Sequence, residues 1–222
     1  MDWQALTLSL KLGALTLAVL LPLAIAAGRF LAFTRWRLKP VFEALLALPL
    51  VLPPTVVGFY LLVGFGGGSW LGPLYQRLAG QTLVFTFEGL LLASVIVNIP
   101  FAVQPVQRGF EAIGPDIREA AEACGLSRWR RLWRIELPLA WPGVLTAAAL
   151  TFAHTLGEFG VVLMVGGNIP GETRTIAVAI YDRVQAFDDR SAGTMALFLL
   201  VISASAIALT YALTQRIGRR HG

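Results

Sequence analysis

Five apolar runs divide the chain: Leu6–Ala27, Val41–Gly64, Leu83–Val106, Pro138–Leu156 and Ala192–Leu213. Each approaches the ~20 predominantly apolar residues that carry a helix across a hydrocarbon core. Charged residues gather in short stretches between the runs. Lys11 is the only charge of the first run, and Glu43 sits near the start of the second. The pattern predicts an all-α integral membrane protein with about five to six transmembrane helices. It also predicts a single membrane domain over residues 1–222, because no polar stretch is long enough to form a soluble one.

Helix breakers interrupt two of the runs. Leu48-Pro49-Leu50-Val51-Leu52-Pro53-Pro54 lies inside the second, and Pro100 and Pro105 lie inside the third. Each proline removes a backbone donor and bends a helix. In lipid the freed carbonyls must be met by neighbouring helices or by water. Two readings stand: kinks that serve packing, or a broken helix lining a pathway, as transporters have. Between the fourth and fifth runs, the stretch Ile176-Ala177-Val178-Ala179-Ile180-Tyr181, continued by Val184 and Phe187, has helical spacing but is too short to span. It reads as an external or re-entrant helix.

Composition agrees with this picture. The chain is 56% hydrophobic and 14% charged, against about 25% charged residues in a soluble domain. Its net charge of +5 does not indicate nucleic-acid binding, because the basic residues are topology signals between spans. Arg29, Arg35, Arg37 and Lys39 follow the first run. Arg108, Arg118, Arg128, Arg130, Arg131 and Arg134 follow the third, and Arg216, Arg219 and Arg220 follow the fifth. The remaining connections hold Arg77, and Arg174, Arg183 and Arg190 diluted by Glu172, Asp182, Asp188 and Asp189. This asymmetry predicts an external N-terminus, a cytoplasmic C-terminus and a cytoplasmic loop at Gln107–Leu137. The first run is expected to be retained, since Met1–Gln4 has no basic cluster and no cleavage site follows. Cys124, the only cysteine, rules out an intramolecular disulfide and a multi-cysteine metal site.

The cytoplasmic loop is built for two short helices. Pro115 suits a first helical position and Asp116 the positive helix end. Gly125 supplies the left-handed residue that ends the first helix, and Ser127 caps a second that reaches about Ile135. Leu126, Trp129 and Trp133 fall three and four apart on one face of it, with arginines over much of the rest. Such a face suits insertion into a partner's groove. It equally suits an interfacial helix on lipid, with Arg on phosphates and Trp among headgroups.

At this loop the chain resembles a known family. Glu119-Ala120-Ala121, then Gly125, then Ile135-x-Leu137-Pro138 match the signature loop of binding-protein-dependent ABC importer permeases at the family spacing. The resemblance implies that the loop is a coupling helix docking in a cleft of a cytoplasmic ATPase. Glu119, Ala120, Ala121 and Gly125 are the motif positions, and Leu126 and Trp129 adjoin them. It also implies two copies of the chain around the pore, an ATPase dimer holding ATP and Mg, and an external oxyanion-binding protein. No cofactor is expected in this chain. It carries no Gly-x-x-x-x-Gly-Lys-Ser/Thr motif, so it is not itself expected to be the ATPase.

A second resemblance narrows the cargo. Thr155-Leu156-Gly157-Glu158-Phe159-Gly160 and Gly167 through Ile176 are similar to molybdate permeases, as are Leu48 through Gly58 and Trp3 through Lys11. Sulfate permeases share the Gly-Glu-aromatic-Gly element and the proline-rich second span, and usually differ in the Asn-Ile-Pro-Gly-Glu-Thr-Arg-Thr stretch. The implied cargo is molybdate, with tungstate inseparable. Thr155, Gly157, Glu158, Phe159 and Gly160 are the expected gate. An acid at membrane depth is a functional candidate by default, yet a carboxylate facing the path would repel a dianion. Glu158 is therefore expected to accept hydrogen bonds across the Gly157–Gly160 break rather than to ligate substrate. His154 reads as a packed, hydrogen-bonded residue. Thr55, Ser94, Asn98, Thr151 and Thr155 are candidate donors along the path, and Lys11 reads as an interface or topology residue. No paired-carboxylate or His-rich constellation within the spans supports a membrane enzyme. No relay of buried charges or inverted repeat supports an ion-driven transporter.

Overall fold

A computed structural model describes residues 1–218, with side chains through Leu213. The expected C-terminal basic group falls at this limit: Arg219, Arg220 and the Arg216 side chain lie outside the described residues. Every element among the described residues is helical: α1 (Trp3–Phe33), α2 (Lys39–Val51), α3 (Pro54–Phe65), α4 (Leu71–Ala79), α5 (Phe87–Glu111), α6 (Pro115–Ala123), α7 (Arg128–Arg131), α8 (Leu137–Gly157), α9 (Gly160–Gly166), α10 (Ile176–Gln185) and α11 (Asp189–Gly218). Side-chain caps set several starts. Asp2 accepts from Ala5 N at 2.9 Å, Thr86 from Gly89 N at 3.2 Å and Thr175 from Val178 N at 3.5 Å.

Among the described residues, four stretches are long and apolar enough to cross a membrane: Trp3–Phe33, Phe87–Glu111, Arg128–Gly157 and Asp189–Leu213. The second apolar run behaves differently. It is two helices, α2 and α3, meeting at 108°. Leu52 and Pro53 are extended, with ψ of 139° and 137°, because a proline disfavours the helical conformation in the residue before it. The 13 residues of α2 reach only about 20 Å, short of a ~30 Å hydrocarbon core. Pro100 and Pro105, by contrast, sit inside one continuous α5. The prolines of the second run therefore break it, whereas those of the third leave one helix.

The fourth span does not begin at Pro138, as the pattern suggested. Helix continues from α7 through a π-helical turn at Leu132–Glu136 into α8. A proline clashes with the carbonyl four residues back, and a π turn is one of the local devices that relieve such a clash. Sequence reading also missed α4, a nine-residue amphipathic helix closed by Gly80 at φ 75°.

The bundle centres on α1, α5 and α8. Leu20, Ala24 and Leu31 of α1 pack with Ala102, Val103, Val106 and Phe110 of α5 and with Ala140, Val144 and Ala147 of α8. In lipid there is no hydrophobic drive between helices, so close approach through small residues matters. A Cβ on Gly143 would collide with the Pro105 carbonyl oxygen, and one on Gly28 would lie 2.9 Å from Gln107 N. Along α11, Met195, Leu199 and Ile202 face a second cluster with Ala5, Leu6 and Ile176, while Leu197, Leu200, Val201 and Leu209 are exposed.

Candidate functional site

The α6–α7 hairpin is a closed, hydrogen-bonded unit. Gly125, at φ 72°, donates its N–H to Glu122 O at 2.9 Å, and Leu126 N donates to Ala121 O at 3.2 Å. These paired bonds form a Schellman motif, which needs the left-handed residue that Gly125 supplies. Ser127 Oγ then accepts from Arg130 N at 3.4 Å and opens α7. Ala121 is buried, whereas Glu119 and Ala120 face outward. Trp129 and Trp133 are 69% and 62% exposed, with ring centroids 6.4 Å apart and planes 24° apart. Leu126 is partly covered. The outward surface of the hairpin therefore joins Glu119 and Ala120 with a paired indole platform.

Beneath this surface lies a cluster that sequence reading passed over. Glu136 occupied only the unspecified position of Ile135-x-Leu137-Pro138, yet its side chain is completely buried. Arg29 Nε of α1 donates to Oε2 at 2.6 Å. Arg131 Nε lies 3.0 Å and Arg118 Nε 3.6 Å from Oε1. Arg131 also pairs with Glu122, and the Arg118 guanidinium stacks 3.6 Å from the centre of the Phe33 ring. A fully buried carboxylate is retained only with cationic partners. The legible signal was one acid among arginines at the mouth of a span.

The expected gate residues gather where two helix breaks touch. α8 ends at Gly157, Glu158 turns extended at ψ 125°, and α9 starts at Gly160. Glu158 Oε1 accepts from Val161 N at 3.1 Å. α9 packs on α3. A Cβ on Gly160 would stand 2.9 Å from Pro54 Cβ, and one on Gly58 would stand 2.8 Å from Met164 Cβ. The Pro53–Pro54 break and the Gly157–Gly160 break thus lie in direct contact. Phe159 packs beside Tyr181 of α10, with centroids 4.9 Å apart.

From this junction a polar thread crosses the bundle. His154 Nε2 lies 3.5 Å from Glu158 Oε2, and its ring stacks on Phe101 at 4.0 Å. Asn98 Nδ2 donates to Ser94 O at 2.8 Å. That leaves Asn98 Oδ1 to accept from His154 Nδ1 at 3.2 Å. Ser94 Oγ accepts from Thr16 Oγ1 at 2.9 Å. Thr155 Oγ1 donates to Thr151 O at 2.8 Å. Ser94, Asn98, Thr151 and Thr155 are thus buried within the protomer, and of the five proposed donors only Thr55 is exposed. Lys11 is exposed, with Nζ 4.5 Å from the centre of the Phe87 ring.

A third polar group clusters at the opposite end of the bundle from Glu136. Ile176 N donates to Ser9 Oγ at 2.8 Å, and Arg174 Nε donates to Asn168 Oδ1 at 2.6 Å. Arg174 also lies 3.7 Å from Asp182 and 4.0 Å from Asp2. The hydroxyl and backbone N–H of Ser191 hold the Asp188 carboxyl below its ordinary range. The Asn168–Arg174 stretch is therefore a folded loop fastened to the start of α1.

Residues 21–220 match the family described as binding-protein-dependent transport system inner membrane component. The molybdenum transport system permease protein ModB of Azotobacter vinelandii is 50% identical over 205 residues, 90% of this chain and 91% of that protein. The sulfate transport system permease protein CysW of Synechococcus elongatus is 31% identical over 98% of this chain and 76% of its own length. A crystal structure of a bacterial alginate ABC transporter, in complex with an alginate pentasaccharide-bound periplasmic protein, superimposes with a TM-score of 0.76. It does so at 18% identity, over 96% of this chain and 78% of that one.

Proposed function

This chain belongs to the binding-protein-dependent transport system inner membrane components, and on that premise we propose that it is the pore-forming subunit of an ATP-driven molybdate importer. One observation carries the coupling role: the α6–α7 hairpin holds the signature residues Glu119, Ala120, Ala121 and Gly125 in a rigid frame. It also turns Glu119, Ala120, Trp129 and Trp133 outward. Buried aromatic anchors dominate the energetics of protein interfaces, and a free indole pair on a helix suits a groove in an ATPase. The cargo assignment rests on the 50% identity to a molybdenum permease.

Two copies of the chain enclose the pathway, and the residues of each form a single transmembrane unit. An ATPase dimer binds the two hairpins and holds ATP and Mg, and an external binding protein delivers the anion. This chain supplies no catalytic group and no cofactor site. Its N-terminus is external and its C-terminus cytoplasmic, which puts the hairpin on the ATPase side. ATP binding closes the ATPases, the hairpins transmit the motion, and the pore opens outward. Hydrolysis returns it inward.

The touching breaks at Pro53–Pro54 and Gly157–Gly160 form the outer gate, with Thr155, Gly157, Glu158, Phe159 and Gly160 on one side. Glu158 is spent on Val161 N, so its charge is turned into the protein rather than toward a dianion. A sulfate importer is the second reading, favoured by the match to CysW over 98% of the chain.

Reconstitution with the ATPase and with binding protein loaded with molybdate, tungstate or sulfate tests both. ATP hydrolysis stimulated by the molybdate-loaded protein is the expected outcome. Stimulation by sulfate alone overturns the cargo, and stimulation by none overturns the importer role.

A further inference from the structure

We propose that Glu136 is a positioning residue for transport. It locks the coupling hairpin to the inner end of α1, so that a displacement of the hairpin reaches α1 as well as α8. The proposal rests on the importer reading above and adds a second output to the hairpin.

The connection to α8 is covalent. α7 runs through the π-helical turn Leu132–Glu136 into α8, and the hairpin drags that span directly. The connection to α1 is made by side chains alone. Arg29 near the end of α1 bonds Glu136 at 2.6 Å, and Phe33 in the last turn lies under the Arg118 guanidinium. Glu136 occupies the last position of the π turn, where the regular hydrogen-bond ladder is interrupted. A hairpin hinged there could swing against α8 and leave α1 behind. The carboxylate counters this: Arg29 of α1 is hydrogen-bonded to Oε2, and the guanidiniums of Arg118 in α6 and Arg131 in α7 stand within ion-pair distance of Oε1.

Three features favour transmission over simple packing. First, one buried ion pair needs one partner, and this carboxylate has three, each from a different element. Second, replacing a whole buried ion cluster by well-packed apolar residues of similar volume is often neutral or stabilising, so a core at this position does not require charge. Third, the Arg29 bond is short and charge-assisted, and it ends on a fully buried carboxylate. A shift of Arg118 and Arg131 therefore moves Glu136, and Glu136 moves Arg29.

The test uses the reconstituted complex with ATPase and binding protein, and the variants Glu136→Gln and Arg29→Gln. At position 136 Gln keeps the shape and an acceptor oxygen but removes the charge, and at position 29 it removes the guanidinium. Anion uptake per ATP hydrolysed is expected to fall about fivefold or more in each variant, the usual lower range for loss of coupling between sites. The double variant is expected to be no worse than the weaker single one, because both remove one link. A role confined to folding lowers uptake and hydrolysis together and leaves their ratio unchanged, which overturns the proposal. Should Glu136→Gln fail to assemble, Arg29→Gln carries the test, since it leaves Arg118 and Arg131 on the carboxylate.

Hydrogen exchange supplies a readout that needs no cargo. In the wild-type complex ATP binding is expected to change exchange over residues 28–34, and in Arg29→Gln the change is expected to stop at the hairpin. Persistence of the full change in Arg29→Gln overturns the proposal. Failure of the molybdate reading appears separately, in the wild type. Uptake per ATP is then measured on the oxyanion that the wild type does carry, and the exchange comparison stands regardless.

Discussion

At the scale of single residues, the junction of the two breaks makes demands that only particular side chains meet. Glu158 satisfies the Val161 N–H that the interrupted helix leaves free, and in lipid such a donor has no water to turn to. Glu158→Ala is expected to lower stability by about 1 kcal/mol, the usual magnitude of a lost cap. Glu158→Gln, which keeps an acceptor oxygen, is expected to stay close to wild type in thermal unfolding in detergent. If both variants unfold alike, the bond to Val161 is not what Glu158 provides. Gly160 is constrained by contact rather than by backbone angle, because an added Cβ meets Pro54. Gly160→Ala is expected to cost about 1–3 kcal/mol through overpacking, whereas Gly157→Ala, with nothing within 4 Å of the added atom, is expected to be near neutral in the same measurement.

At the scale of elements, the hairpin separates what holds it from what it presents. Its frame rests on the Gly125 turn, the Ser127 cap and the Glu136 cluster, none of which involves the two indoles. Trp129→Ala and Trp133→Ala are therefore expected to leave unfolding of the isolated subunit unchanged. They are expected to weaken association with the ATPase by about 2 kcal/mol or more each, as interface anchors do. Retention of full affinity in both variants favours the lipid-lying alternative, which vesicle binding would then report. The hairpin was legible because its parts are local: Pro115, Gly125 and Ser127 act within one turn of themselves. The α2–α3 bend was half legible, since Pro53 and Pro54 mark a break, but only the contacts of α3 with α9 decide that the chain turns by 108°. Continuity across Pro138 was not legible, because a π turn leaves no residue signature. Glu136 escaped for a related reason. Its three partners come from α1, α6 and α7, and no spacing along the sequence brings Arg29 to position 136.

At the scale of the whole molecule, the polar clusters sort to opposite ends of the bundle. Asp2, Asn168, Arg174 and Asp182 tie the start of α1 to the loop before α10. Arg29, Arg118, Arg131 and Glu136 tie the end of α1 to the hairpin, and Lys39 of α2 lies 3.2 Å from Glu111 at the end of α5. One end is thus charge-mixed and the other rich in arginine, the asymmetry that orients a chain toward the cytoplasm. Cys124 makes the orientation measurable without engineering. It is the only cysteine, it is free, and it is exposed at the end of α6. A membrane-impermeant maleimide is expected to label it in inverted membrane vesicles and to leave it unlabelled in right-side-out vesicles. Adding the ATPase to the inverted vesicles is expected to slow labelling, because a docked hairpin covers the turn on which Cys124 sits. Labelling from the right-side-out face would reverse the topology and remove the hairpin from the reach of any ATPase. Labelling from the inner face with no protection by the ATPase would keep the topology but move the docking surface away from the α6–α7 turn.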